Sequence, residues 1–130
     1  MFPYRTILII EDNVLNQKIL YYNLMKENFE VQISSTGEDA ITKLNKNRFD
    51  IILVDLMLPG MSGYETTKQL RKIEKQLYSD QRILIIALTA NTLNNDRERC
   101  LSNGMDGYIA KPFEMTKLIN ILDSLNLAEG

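Results

Sequence analysis

The sequence predicts an α/β fold: a doubly wound, five-stranded parallel sheet with helices on both faces. Short apolar runs and helical patterns alternate five times along the chain with short connections, as βαβ units do. Three of those runs, "ILII" at 7–10, "IILV" at 51–54 and "ILIIAL" at 83–88, have no polar face, as strands covered on both sides require. The other two differ: "EVQIS" alternates, with Val31 and Ile33 on one face, and "GYIA" is short, which suits sheet edges. Strands two and five therefore flank the rest. This is compatible with the order 2-1-3-4-5, the order expected here, although the pattern alone leaves the middle three strands unranked.

The elements follow in sequence. Thr6–Ile10 reads as the first strand and Val14–Lys26 as the first helix, with Asp12 or Asn13 suited to cap it. Glu30–Ser34 is the second strand, Glu38–Lys46 a helix and Ile51–Val54 the third strand, which runs into Asp55 and then turns at Pro59-Gly60. Gly63–Lys75 is a helix that places Leu70, Ile73 and Leu77 at apolar positions, and Ile83–Thr89 is the fourth strand. The fourth helix, Asn95–Ser102, offers only Cys100 and Leu101 as apolar anchors, so its position should be adjustable. Gly107–Ala110 closes the sheet and Glu114–Leu125 forms the last helix. No linker, repeat or low-complexity stretch divides the chain, so residues 1–130 are read as a single domain with its core at about 6–125.

Composition narrows the function. A chain of 130 residues, 45% apolar and 25% charged, is long enough for a real core and too apolar for disorder. A net charge of −2 gives no electrostatic case for nucleic acid or an anionic membrane surface. No apolar stretch is long enough to span a bilayer. One cysteine excludes an intrachain disulfide and fits a reducing, cytoplasmic compartment. Histidine is absent, which removes histidine ligands, bases and phosphohistidine from this chain.

Ligands of doubly wound sheets bind beyond the carboxyl ends of the strands. Those ends carry Glu11 and Asp12, Asp55, Thr89 and Lys111. Singly, each has a structural explanation: helix cap, turn residue, β-branched strand residue, solvated loop charge. Together on one rim they read as a site. Three neighbouring carboxylates repel one another unless a cation joins them. All-oxygen donors select Mg²⁺, Mn²⁺ or Ca²⁺, and few protein ligands with room for water favour Mg²⁺, with Mn²⁺ as a substitute. A carboxylate can also act as a nucleophile and take a phosphoryl group as an acyl phosphate. The metal and Lys111 would then neutralise the group in transfer, and Thr89 would donate its hydroxyl to a phosphoryl oxygen.

At these residues the chain resembles the receiver domain of two-component response regulators, from Ile7 to about Leu125. "LIIEDN", "DIILVDLMLPGMSGYE", "IIALTA" and "GMDGYIAKPF" are similar to its blocks in order and spacing, and "EDNVLNQKIL" is most similar to receivers of hybrid sensor histidine kinases. The resemblance implies a flavodoxin-like sheet, Asp55 as phosphoacceptor, and Glu11, Asp12, Asp55 and the Met57 backbone carbonyl around Mg²⁺. It implies that Lys111 contacts the phosphoryl group, that Thr89 and Tyr108 form a switch, and that Lys111–Pro112 is a cis peptide. Met57 and Asn91 fall where the family tunes water access to the phosphate. The implied activity is phosphotransfer onto the domain itself, from a histidine kinase or a histidine-phosphotransfer protein, followed by a conformational change that controls a partner or a phosphorelay. No nucleic acid or membrane contact is implied, and the domain is expected as a monomer or weak dimer.

Three rival readings fit less well. An aspartate-nucleophile phosphohydrolase resembles a D-x-D pair, whereas Met57 stands two residues after Asp55. A flavin carrier would need a hydroxyl- and glycine-rich phosphate loop where "EDNVLNQ" puts two acids. A phosphate-independent interaction domain of receiver fold would not need the intact set of acids, Thr and Lys.

The phosphodonor's docking surface is sought on the first helix. At 100° per residue, Val14, Leu15, Tyr21, Tyr22 and Met25 share one side with Ile19 at its margin, while Leu20 and Leu24 fall among amides. Asn16, Ile19 and Leu20, nearest the carboxylate rim, are accordingly expected to border the docking site. The structural alternative packs Leu20 and Leu24 against the last helix.

Overall fold

A computed structural model describes residues 6–90, 94–111 and 114–129. Ten elements alternate: β1 (Thr6–Ile10), α1 (Val14–Lys26), β2 (Glu30–Ser34), α2 (Gly37–Lys46), β3 (Ile51–Asp55), α3 (Gly63–Leu77), β4 (Leu84–Thr89), α4 (Asn94–Ser102), β5 (Gly107–Ala110) and α5 (Met115–Glu129). The sheet is parallel throughout, in the order β2-β1-β3-β4-β5. Element boundaries differ from the sequence reading by a residue or two, and by four at the end of α5. The one shift with a consequence is that β3 includes Asp55 as its last residue.

Strand alternation divides the core in two. Ile7 and Ile9 of β1, Ile51 and Leu53 of β3, and Leu84, Ile86 and Leu88 of β4 point to the face covered by α1 and α5. Leu8, Ile10, Ile52, Val54, Ile85 and Ala87 point to the face covered by α2, α3 and α4. Every one of these side chains is buried, which is why the three central strands carry polar residues only at their ends.

Helix α1 corrects the docking expectation. Leu20 and Leu24 are 1% and 0% exposed, packed in one cluster with Leu118 and Leu122 of α5. Leu20 is therefore a core residue and does not border a docking surface. The wider apolar stripe faces solvent instead: Val14 is 60% exposed, Leu15 67% and Tyr22 62%. The reason is geometric. Two leucines four residues apart meet the flat sheet face as a narrow ridge, and the amides beside them, Asn16 and Gln17, find partners at the strand end. On α4, Cys100 is buried but Leu101 is half exposed, leaving one of the two expected anchors.

Parallel register brings the strand ends together. Ile10 pairs with Val54 and Asp55 with Leu88, so Glu11 and Thr89 each follow directly beside Asp55's strand end. Thr89 pairs with Ala110, which sets Lys111 one residue further. The chain then crosses the rim tightly: a Cβ on Gly63 would lie 2.4 Å from the Asp55 carbonyl oxygen, so α3 approaches β3 only with glycine there. Gly60 supplies the left-handed turn, at φ +74°, and Ser62 caps α3 by accepting from the Glu65 N–H.

Candidate functional site: an acidic cluster closed by a lysine

Glu11, Asp12 and Asp55 each offer a carboxylate oxygen, all within 4.8 Å of one another. Glu11 and Asp55 are buried, whereas Asp12 is exposed and opens the cluster to water. Lys111 closes the other side, its Nζ 3.0 Å from Asp55 Oδ2 and 3.2 Å from Glu11 Oε1. The second Asp55 oxygen, Oδ1, accepts the Met57 N–H at 2.9 Å. Thr89 is buried, and its carbonyl accepts the Lys111 N–H at 2.7 Å, tying the two strand ends together. Tyr108 is partly buried against the α3/α4 face of the core. The Met57 side chain projects into solvent at 79% exposure. Asn91 and Pro112 lie outside the described residues, and with them the expected cis peptide.

Two buried acids beside one ammonium titrate in opposite directions. Burial, the hydrogen bond with Asp55 and the Asp55 charge push Glu11 up to about 7. Burial also pushes Asp55 upward, but hydrogen bonds from Glu11, the Met57 N–H and Lys111 outweigh it and hold Asp55 below the usual carboxylate range. The Lys111 ammonium is destabilised by burial, yet Asp55 and Glu11 more than compensate and raise it above its ordinary value. The site thus holds an ionised Asp55 beside a Glu11 that keeps its proton to near neutrality.

Three amides complete the site: Asn16, expected from the sequence at the docking surface, Asn13, expected as a helix cap, and Gln17, each of them a contact of Glu11 that the sequence reading did not assign. The Asn16 amide donates to Glu11 Oε1 at 2.9 Å, the Asn13 N–H to Glu11 Oε2 at 3.4 Å, and the Gln17 amide to the Glu11 carbonyl. Asn13 also caps α1 by accepting from the Asn16 N–H at 3.0 Å. The only signal in the sequence was the density of amides in "EDNVLNQ".

Over residues 7–123 the chain matches the response regulator receiver domain family. The chain belongs to that family. This receiver domain is 36% identical over 121 residues to a stretch of hybrid signal transduction histidine kinase M of Dictyostelium discoideum, covering 92% of this chain and 5% of the kinase. It spans from 5% to 27% of the length of the first five curated relatives it matches. Among solved structures, the receiver domain of sensor histidine kinase PA1611 from Pseudomonas aeruginosa PAO1 is 37% identical, with a TM-score of 0.79 over 93% of this chain and 96% of that one. That structure holds a magnesium ion in its active-site cleft. The co-crystal of the Saccharomyces cerevisiae phosphotransfer protein Ypd1 with the receiver domain of Ssk1 gives 32% identity and a TM-score of 0.86, over 99% of this chain and 93% of that one. The receiver domain described here is thus a two-component signalling module.

Proposed function

We propose that this receiver domain accepts a phosphoryl group from the phosphohistidine of a histidine kinase or histidine-phosphotransfer protein onto Asp55, in a Mg²⁺-dependent reaction. The observation that carries the reading is the three-carboxylate cluster of Glu11, Asp12 and Asp55, with the Lys111 ammonium 3.0 Å from Asp55. The donor set fits a hard divalent cation: oxygen ligands only, like charges that need a counter-ion, and an exposed side at Asp12 for water. Glu11, Asp12, Asp55 and the Met57 carbonyl would hold the ion. When bound, Mg²⁺ supplies positive charge against the phosphoryl oxygens and screens the acids from one another.

The chain's own residues do the rest. A carboxylate oxygen of Asp55 attacks phosphorus as the phosphorus–nitrogen bond to the donor imidazole breaks, and the imidazole leaves with that electron pair. Lys111 balances charge on the transferring group, and Thr89 donates its hydroxyl to a phosphoryl oxygen once the acyl phosphate has formed. Movement of Thr89 toward the phosphate vacates space that Tyr108 takes up, shifting α4 and β5 toward a second arrangement read by the downstream partner. The single, buried thiol of Cys100 fits a reducing cytoplasm. None of the described helices is long and apolar enough to cross a membrane.

Incubation with acetyl phosphate and Mg²⁺ is expected to add one phosphoryl group, mapped to Asp55. EDTA or Asp55→Asn should abolish it. Labelling that persists with EDTA, or maps elsewhere, overturns the assignment; no labelling by any donor would identify a phosphate-independent interaction domain.

A further inference from the structure

We infer that Asn16 is a positioning residue for the metal-binding carboxylate of Glu11, an inference that rests on the Mg²⁺-dependent reading above. Glu11 leaves β1 fully buried at the point where the chain turns into α1. Two groups compete for its Oε1: Lys111 Nζ at 3.2 Å and the Asn16 amide at 2.9 Å. The two act differently toward an incoming cation. The ammonium of Lys111 repels it and draws the carboxylate toward β5. The amide of Asn16 carries no net charge, so it can hold the same oxygen from the α1 side while a metal takes up the lone pairs that remain.

Asn16 is itself well placed for this. Its own N–H is fixed in the helix cap by Asn13 Oδ1, and its side chain is half buried against the acid. The next residue, Gln17, bridges the Glu11 carbonyl to Ser35 Oγ, the latter at 3.1 Å, so main chain and side chain of Glu11 are both held by the first turn of α1. An exposed amide beside a docking face would need none of these contacts.

A double-mutant cycle on metal binding tests it. Mn²⁺ affinity, read from the electron paramagnetic resonance signal of the free ion, is compared for wild type, Asn16→Ala, Glu11→Gln and the double variant, with thermal unfolding in EDTA as the control for folding. Asn16→Ala is expected to weaken Mn²⁺ binding about tenfold in the wild-type background. In the Glu11→Gln background it should have no further effect, because the group it positions is gone. Acetyl phosphate labelling and transfer from a protein donor should slow by the same factor. Unchanged Mn²⁺ affinity in Asn16→Ala, or an equal loss in both backgrounds, overturns the role. Slowed transfer from the protein donor alone would make Asn16 a docking contact and overturn it as well. Failure of wild type to bind Mn²⁺ removes the metal reading of the whole site, and this inference with it.

Discussion

Glu11 and Asp55 are neighbours of the same chemical type, and their surroundings assign them different tasks. Asp55 is ionised, as a nucleophile must be, because a proton on Glu11, the Met57 N–H and Lys111 all hydrogen-bond to it. Glu11, raised by burial and by Asp55 from 4.5 to about 7, binds its proton more tightly in the folded chain than in the unfolded one. Its contribution to stability is therefore full below the unfolded value of 4.5 and is lost as pH rises through about 7. Asp55, depressed below 3.8, acts with the opposite sign but at lower pH, outside that window. In EDTA, the urea midpoint of the protein should fall from about pH 5 to pH 8, flatten in Glu11→Gln, and stop falling with saturating Mg²⁺, which binds the ionised pair. A wild-type midpoint that is level across this range contradicts the pairing. The acids, Thr89 and Lys111 were legible in the sequence because parallel register makes every strand end at one rim. The contact of Asn16 with Glu11 was not, and the residue was read as a docking contact, because an amide in the first turn of a helix looks the same whether it faces water or a buried carboxylate.

Helix α1 shows where periodicity stops being informative. All ten elements and the edge positions of β2 and β5 could be placed from alternation and run length, since burial on both faces leaves only apolar residues, whereas the order of the three central strands could not. On α1 apolar residues surround the axis, and a wheel cannot tell a stripe kept for the core from one kept for a partner. The core took Leu20 and Leu24 and left Val14, Leu15, Ile19, Tyr22 and Met25 exposed, with Lys18 and Lys26 among them. An apolar helix face next to the carboxylate rim is costly to leave in water unless something covers it during function, and the phosphodonor of the proposed reaction must approach that rim. The two sets of residues should separate cleanly. Leu20→Ala should lower stability by about 2–5 kcal/mol, as a core truncation. Leu15→Glu should leave the unfolding midpoint within about 0.5 kcal/mol of wild type while slowing transfer from a protein donor at least several-fold and leaving acetyl phosphate labelling unchanged. If Leu15→Glu slows both donors alike, its effect runs through the active site and the exposed stripe is not the docking face.

The molecule as a whole divides its sheet between a chemical end and a fixed end. At the amino end of β4, the Arg71 guanidinium donates to the Gly104 carbonyl at 2.9 Å, the Ile83 carbonyl at 2.7 Å, and Glu74 and Asp106 at 2.8 Å each. Asp106 also accepts the Ile85 N–H at 2.9 Å and pairs with Arg82 at 2.7 Å. Both Arg71 and Asp106 are largely buried, and buried ion pairs hold their geometry because losing one partner strands the other, at about 3–5 kcal/mol. The turn from α4 into β5 is thereby anchored to α3 and β4. Ile85 and Thr89 are four residues apart along β4, roughly 13 Å at about 3.3 Å per residue. In the last turn of α4, Cys100 is buried and Arg99 stacks over the Tyr64 ring at 4.3 Å, while Leu101 is half in solvent. A helix held firmly at its carboxyl end should pivot about that end rather than translate when Thr89 is drawn toward a phosphoryl group. Beryllofluoride with Mg²⁺, as a phosphoryl mimic, should therefore change amide exchange at Thr89, along α4 and at Tyr108 to Lys111, and leave the Ile85 and Asp106 amides as protected as before. In Arg71→Met the Ile85 and Asp106 amides should lose protection and begin to respond to beryllofluoride, because the pivot has been released. Equal responses at both ends of β4 in the wild-type protein would mean that α4 and β5 move as one body and that the Arg71 cluster does not anchor the switch.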